Sequence, residues 1–93
     1  MKRVLIADDA SFMRQMIRDI IEPEGFEVVG EASDGVEVVE KFRRLRPDLV
    51  MMDIVMPKRS GIDAVRAIKA EDAGARVVMC SALGQEALVT EAI

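Results

Sequence analysis

The chain has no tryptophan, no tyrosine and three phenylalanines, so aromatic residues make up 3% of its 93 positions. Aliphatic side chains and seven methionines must therefore fill the interior. A single cysteine, Cys80, excludes an internal disulfide, and nothing else points to an oxidising compartment. There is no surplus of basic charge. Lys and Arg number 13 against 17 Asp and Glu, a net charge of −4, which argues against a nucleic-acid footprint, since that needs a basic face. No apolar run is long enough to span a bilayer. Met1-Lys2-Arg3 is basic, but the apolar run after it, Val4 to Ala7, meets two aspartates and is too short for the core of a signal peptide. These absences make the cytoplasm the default compartment, with neither nucleic acid nor membrane as partner. The 51% apolar content suffices for one domain with a modest core.

The most informative stretch present is Leu49-Val50-Met51-Met52-Asp53-Ile54-Val55-Met56-Pro57. An apolar run of this kind reads as a central strand covered on both faces. Asp53 then stands at the carboxyl end of the sheet, where open α/β folds place their ligands. Val4 to Ala7 is a second such run and stops on Asp8 and Asp9. Two parallel strands ending side by side bring the three carboxylates to one edge, where they repel and raise one another's pKa unless a cation sits among them. Such a cluster of hard oxygens suits Mg²⁺. For Asp8 or Asp9 alone, a helix N-cap would be the plainer reading.

In order, the pattern predicts a strand at Val4–Ala7, then a helix over Ser11–Ile21 with Phe12, Met13, Met16, Ile17, Ile20 and Ile21 at helical spacing, closed by Pro23 and Gly25. A strand over Phe26–Ala32 precedes a turn at Ser33-Asp34-Gly35 and a helix to Leu45 that presents Val36, Val39, Phe42 and Leu45. Arg43, Arg44 and Arg46 face water at its end. After Arg46-Pro47-Asp48 come a strand from Leu49 to Met52, a helix carrying Ile62, Val65 and Ile68, and a strand over Arg76–Cys80. Gly84–Ile93 is expected to begin a fourth helix with Ala87, Leu88 and Ala92 inward. Strands alternating with helices imply right-handed βαβ units and a doubly wound parallel sheet. Cys80 reads as a buried strand residue and the methionines as core filler.

Asp8-Asp9 after the first strand, Asp53 after the third, Met56-Pro57 with Gly61 beyond, and Ser81-Ala82 after the fourth together resemble the response-regulator receiver domain. Asp8-Asp9-Ala10-Ser11-Phe12-Met13-Arg14 and Cys80-Ser81-Ala82-Leu83-Gly84-Gln85 resemble its chemotaxis members most. The resemblance implies a flavodoxin-like fold with strand order 2-1-3-4-5. It implies that Asp53 is the phosphoacceptor, attacking a kinase phosphohistidine, and that Asp9 ligates Mg²⁺ directly and Asp8 through water. The Val55 carbonyl becomes the third protein ligand, Ser81 the switch hydroxyl, and the Ala82 amide a further phosphoryl contact. The implied partners are a CheA-like histidine kinase and the flagellar motor switch. Most of the family's output surface, which involves the fifth strand and its neighbouring helices, is expected to be missing here, so effective motor binding is not expected. Elementary chemistry agrees, since phosphoryl transfer needs positioning and charge neutralisation and a carboxylate is a competent covalent nucleophile. Ser81 by itself would read as an ordinary turn residue.

The family's fifth strand, with its phosphoryl-contacting lysine and aromatic switch residue, and its fifth helix have no counterpart here, so residues 1–93 read as a single truncated receiver domain with four strands in order 2-1-3-4. Lys58 and Lys69 do not replace that lysine by position. The fourth strand is then expected to be an open edge, and the first helix to lose cover around Met13, Ile17 and Ile20, which favours a homo-oligomer or a strand-exchanged dimer. Two enzyme classes fit poorly. A phosphohydrolase of the haloacid-dehalogenase type wants a second acid two residues after its aspartate, where Val55 stands. A dinucleotide site wants a glycine-rich turn where Asp8-Asp9-Ala10-Ser11 stands. A receiver-derived scaffold that assembles without signalling remains open beside the phosphoacceptor, which is expected to be a signalling module and not an enzyme beyond its own phosphorylation and dephosphorylation.

Overall fold

The computed structural model describes residues 2–80 and the backbone of residues 89–92. Its elements are β1 (Lys2–Ala7), α1 (Ser11–Ile21), a 3₁₀ turn (Glu22–Glu24), β2 (Phe26–Ala32), α2 (Gly35–Leu45), β3 (Leu49–Asp53), α3 (Gly61–Glu71), β4 (Val77–Cys80) and β5 (Val89–Ala92). The first four strands are parallel in the order β2-β1-β3-β4, with β5 added antiparallel on the β4 side.

Burial follows from the alternation of strand side chains. Leu5 and Ala7 align with Val50 and Met52, and these with Val77 and Met79, so all six point to one face. There they join Val38, Val39 and Phe42 of α2 and Ala64 and Ile68 of α3 in one core. Val4 and Ile6 are as deeply buried on the opposite face, where α1 lies over β1 and β2, whereas Met51 and Val78 on that face are half-buried. Both faces of the sheet are thus covered, the α2–α3 face more completely.

Val39, Phe42 and Ile68 point inward as expected and Leu45 and Val65 pack partly buried against the core, but the first apolar residue of each helix does not. In α2 the inward residues are Val38, Val39 and Phe42, and Val36 is exposed; in α3 they are Ala64 and Ile68, and Ile62 is exposed. No residue of α1 is fully buried. Met13, Ile17 and Ile21 are half-buried, while Phe12, Met16 and Ile20 form an exposed stripe. Two helix starts are capped: the Asp34 carboxylate accepts from the Val36 and Glu37 amides at 2.9 and 2.7 Å, and Ser60 Oγ from the Asp63 amide at 3.2 Å. Each cap stabilises by about 1 kcal/mol. The arginines at the end of α2 do more than face water. Arg43 pairs with Glu71 of α3 at 2.6 Å, and the Arg46 guanidinium lies 5.5 Å from the Phe42 ring centroid.

The end of the chain departs from the expected helix. Residues 84–88 lie outside the described residues, but Val89–Ala92 is a strand whose partners run Cys80↔Val89 to Val77↔Ala92. The β4 edge expected to be open is therefore paired within the chain. Its unmet backbone groups and the β-branched Val89 and Thr90 outweigh the local helical pattern. A second irregularity is a register shift between Val4 and Leu5 against β2, which leaves Val29 as the extra residue.

Phe42 fills the junction of α2 with the sheet at 2% exposure. Phe42→Ala should therefore cost about 3–5 kcal/mol, a large share of the stability of such a domain. The urea midpoint should fall with an unchanged slope.

Candidate functional site

The register of β1 against β3 builds the site. Ala7 pairs with Met52, so the next residues along, Asp8 just past β1 and Asp53 at the end of β3, stand together at the carboxyl edge of the sheet, and Asp9 follows. Carboxylate oxygens of Asp8, Asp9 and Asp53 all lie within 4.8 Å of one another. Asp8 and Asp53 are 4% and 8% exposed and Asp9 is exposed, so the trio forms a cup with two acids in its floor and one at its rim. Burial, and then repulsion from its acidic neighbours, pushes the Asp8 carboxyl above its ordinary value; the same two causes raise Asp53.

Asp8 and Asp53 are aimed by local backbone contacts. The Asp8 amide donates to the Ala32 carbonyl at 3.0 Å, and Asp8 Oδ1 accepts from the Ala10 amide at 2.9 Å, closing a tight turn. Asp53 Oδ1 accepts from the Val55 amide at 3.4 Å, which places Val55 at the rim of the cup, 65% exposed. Gly61 allows the loop after β3 to close. Its amide donates to the Ile54 carbonyl at 2.8 Å, and a Cβ there would overlap the Asp53 carbonyl oxygen. Met56 is buried in the core, and the Pro57 carbonyl accepts from the Gly35 amide at 3.4 Å, so the loop is anchored on α2 as well.

Three hard carboxylates converging in a half-buried cup, two with the charged form disfavoured, are a donor set that a small divalent cation such as Mg²⁺ would relieve. Ser81 and Ala82 lie outside the described residues. Cys80, just before them, pairs with Asp53 in register, so β4 ends beside the cup. Burial first, then Asp53 and Asp8, push the Cys80 thiol up, which disfavours the thiolate; Cys80 is a strand residue as expected, but half-buried. Lys58 is 3.6 Å from Asp34, and Lys69 donates to the Ala75 carbonyl, so each is engaged away from the acids.

Residues 4–93 match the family model described as the response regulator receiver domain. The chain belongs to the receiver family. This receiver is 56% identical over 92 residues to the chemotaxis protein CheY of Thermotoga maritima, spanning 99% of the chain and 77% of that protein, and 56% identical over 91 residues to CheY of Bacillus subtilis, spanning 98% and 76%. Among solved structures, the CheX–CheY–BeF₃–Mg²⁺ complex of Borrelia burgdorferi superposes with a TM-score of 0.85 at 41% identity over 91% of this chain and 65% of that one. The response regulator domain of Thermotoga maritima CheB gives 0.83 at 44% identity over 95% and 66%. The receiver thus spans about three quarters of these two CheY proteins and just under two thirds of these solved chains. No described helix is long and apolar enough to cross a membrane.

A set of residues beside the cup went unassigned in the sequence. Arg14 and Arg18 of α1 both pair with Glu31 of β2 at 2.7 Å, and Arg14 also donates to the Asp8 carbonyl at 2.6 Å. Two arginines four apart, mutually repulsive on one helix face, were the available signal that an acid lies between them.

A carboxyl raised in the fold binds its proton more tightly there than in the unfolded chain. Its contribution is most favourable below the ordinary carboxylate pKa and is lost as pH rises through the raised one. Metal-free Asp53→Asn should therefore melt above the parent at pH 7, and the gap should narrow on acidification toward the ordinary carboxylate range. Thermal melts across that range check it.

Proposed function

We propose that this receiver of CheY type is a Mg²⁺-dependent phosphoacceptor that takes a phosphoryl group on Asp53 from the phosphohistidine of a histidine kinase. The observation that carries the reading is the convergence of Asp8, Asp9 and Asp53 within 4.8 Å at the carboxyl edge of two adjacent parallel strands. Asp9 and Asp53 would hold the ion directly, Asp8 through water, and the Val55 carbonyl would complete the protein ligands. The bound ion supplies neutralisation of the charge that gathers on the phosphoryl oxygens.

The chain's own residues do the rest. An Asp53 oxygen forms the new bond to phosphorus as the bond from phosphorus to the histidine nitrogen breaks, and that nitrogen keeps the electron pair. The amide of Val55, already turned to Asp53 Oδ1, holds the attacking carboxylate in place. By family resemblance, the Ser81 hydroxyl and the Ala82 amide receive the phosphoryl oxygens. Water later cleaves the acyl phosphate, so the domain turns over its own modification and no separate substrate. The partners are a chemotaxis-type kinase and, downstream, the flagellar motor switch; the work is done in the cytoplasm.

One observation favours the second reading, a receiver scaffold that assembles and does not signal. Phe12, Met16 and Ile20 leave an apolar stripe along α1 at 66%, 49% and 63% exposure, and such a stripe on a small domain invites a second copy. The two readings separate in one experiment. Intact mass after incubation with acetyl phosphate and Mg²⁺ should show one added phosphoryl group on the parent, none on Asp53→Asn and none after chelation. A parent that stays unmodified while it binds Mg²⁺ and elutes as a dimer would favour the scaffold.

A further inference from the structure

Arg14 lies on α1, outside the acid trio, yet among the described residues its guanidinium is the side-chain group that donates to the trio's backbone. Nη1 donates to the Asp8 carbonyl at 2.6 Å, and Nε donates to Glu31 Oε1 at 2.7 Å. Arg18, one turn on, donates from Nη2 to the other oxygen of Glu31 at 2.7 Å. Glu31 is itself fixed on β2, opposite Ile6 of β1. The fork of Arg14 is therefore held in place by a carboxylate that a second arginine holds in turn, the fixed geometry for which arginine is suited and lysine is not.

We propose that Arg14 is a positioning residue of the acid pocket: it sets the plane of the Asp8–Asp9 peptide, and with it the directions in which both carboxylates leave β1. The peptide unit is planar, so a donor that fixes the Asp8 carbonyl also fixes the Asp9 nitrogen and the start of the Asp9 side chain. The Asp8 amide is tied to Ala32 and its side chain to Ala10. The carbonyl is the remaining backbone group of Asp8, and Arg14 ties it. Asp9, exposed at the rim, depends on that plane for its aim. The role rests on the phosphoacceptor reading for the identity of the ion.

Charge alone predicts the opposite sign from positioning. Arg14 is a cation close to a cation site, so its removal should tighten Mg²⁺ binding if only Coulomb forces mattered. Loss of a positioning residue should weaken it, typically by about tenfold or more for a group that orients a metal ligand. Arg18 is the matched control, because it shares Glu31 and also pairs with Glu22 at 3.1 Å, but none of its hydrogen bonds goes to Asp8.

The test is Mg²⁺ titration by calorimetry, with metal-free amide spectra, on the parent, Arg14→Ala, Arg14→Lys and Arg18→Ala. Arg14→Ala should bind Mg²⁺ about tenfold more weakly and shift the Asp9 and Ala10 amide resonances before any ion is added. Arg14→Lys, which keeps the charge and the stem but not the fork, should also bind more weakly than the parent. Arg18→Ala should lose comparable thermal stability yet stay within about twofold of the parent's affinity. Equal or tighter binding by a folded Arg14→Ala, or unmoved Asp9 and Ala10 amides, would overturn the positioning role whatever the ion does. A parent that binds no Mg²⁺ would overturn the phosphoacceptor reading and take the ion-directed part of this role with it.

Discussion

Three like charges pinned at one edge of a parallel sheet are the constraint from which the rest of this structure follows. Asp8 and Asp53 are nearly buried, and Asp9 stands over them. Local amides from Ala10 and Val55 favour the charged forms of Asp8 and Asp53, but burial outweighs them and repulsion adds to it. The sheet enforces it. Val4, Leu5 and Ile6 on one strand, and Val50 and Met52 on the other, have no exposed surface, and each such side chain contributes about 1.5–3 kcal/mol on burial. Sliding β1 against β3 to part the acids would turn those residues to the wrong face.

The loop after β3 is the second consequence. A flexible connection would let Asp53 turn its carboxylate away from its neighbours. Here the connection is held at four places: the Val55 amide on Asp53, buried Met56 in the core, the Pro57 carbonyl on Gly35, and Gly61 against the Asp53 backbone. The side chain at 61 must be hydrogen because a carbonyl already occupies the place of a Cβ, and Gly35 meets Arg59 in the same way. The cup is rigid on its β3 side because two glycines let backbone pack directly on backbone.

The sequence made the strands and the acid trio legible because both signals are strong and local: continuous apolar runs that stop on acids, four motifs in order. Helix phase was less legible. Val36 and Ile62 are as apolar as their buried neighbours, and only the packing of α2 against α3 decides that Val38 and Ala64 point inward. Val89–Ala92 is illegible as a strand for another reason. Ala87, Leu88 and Ala92 follow a helical period, but β4 offers a row of unmet backbone donors and acceptors that no local pattern reveals, and Val89–Ala92 answers it as a strand. Val29, the extra residue opposite β1, gave no signal either, since any of the residues near it could have slipped.

α1 shows how the polar network and the core divide the labour. Its apolar residues attach it only partly: Met13, Ile17 and Ile21 are half-buried, and the Phe12–Met16–Ile20 row faces outward. Ion pairs on such a helix usually contribute little when exposed, but Glu31 receives two arginines at once. Its carboxyl is held below the usual range, first by Arg18 and then by Arg14, so the pairing is a property of a network and not of one bridge. The same guanidinium that completes the network also ends on the Asp8 carbonyl. The seating of α1 on the sheet and the geometry of the acid turn are therefore one interaction seen from two ends.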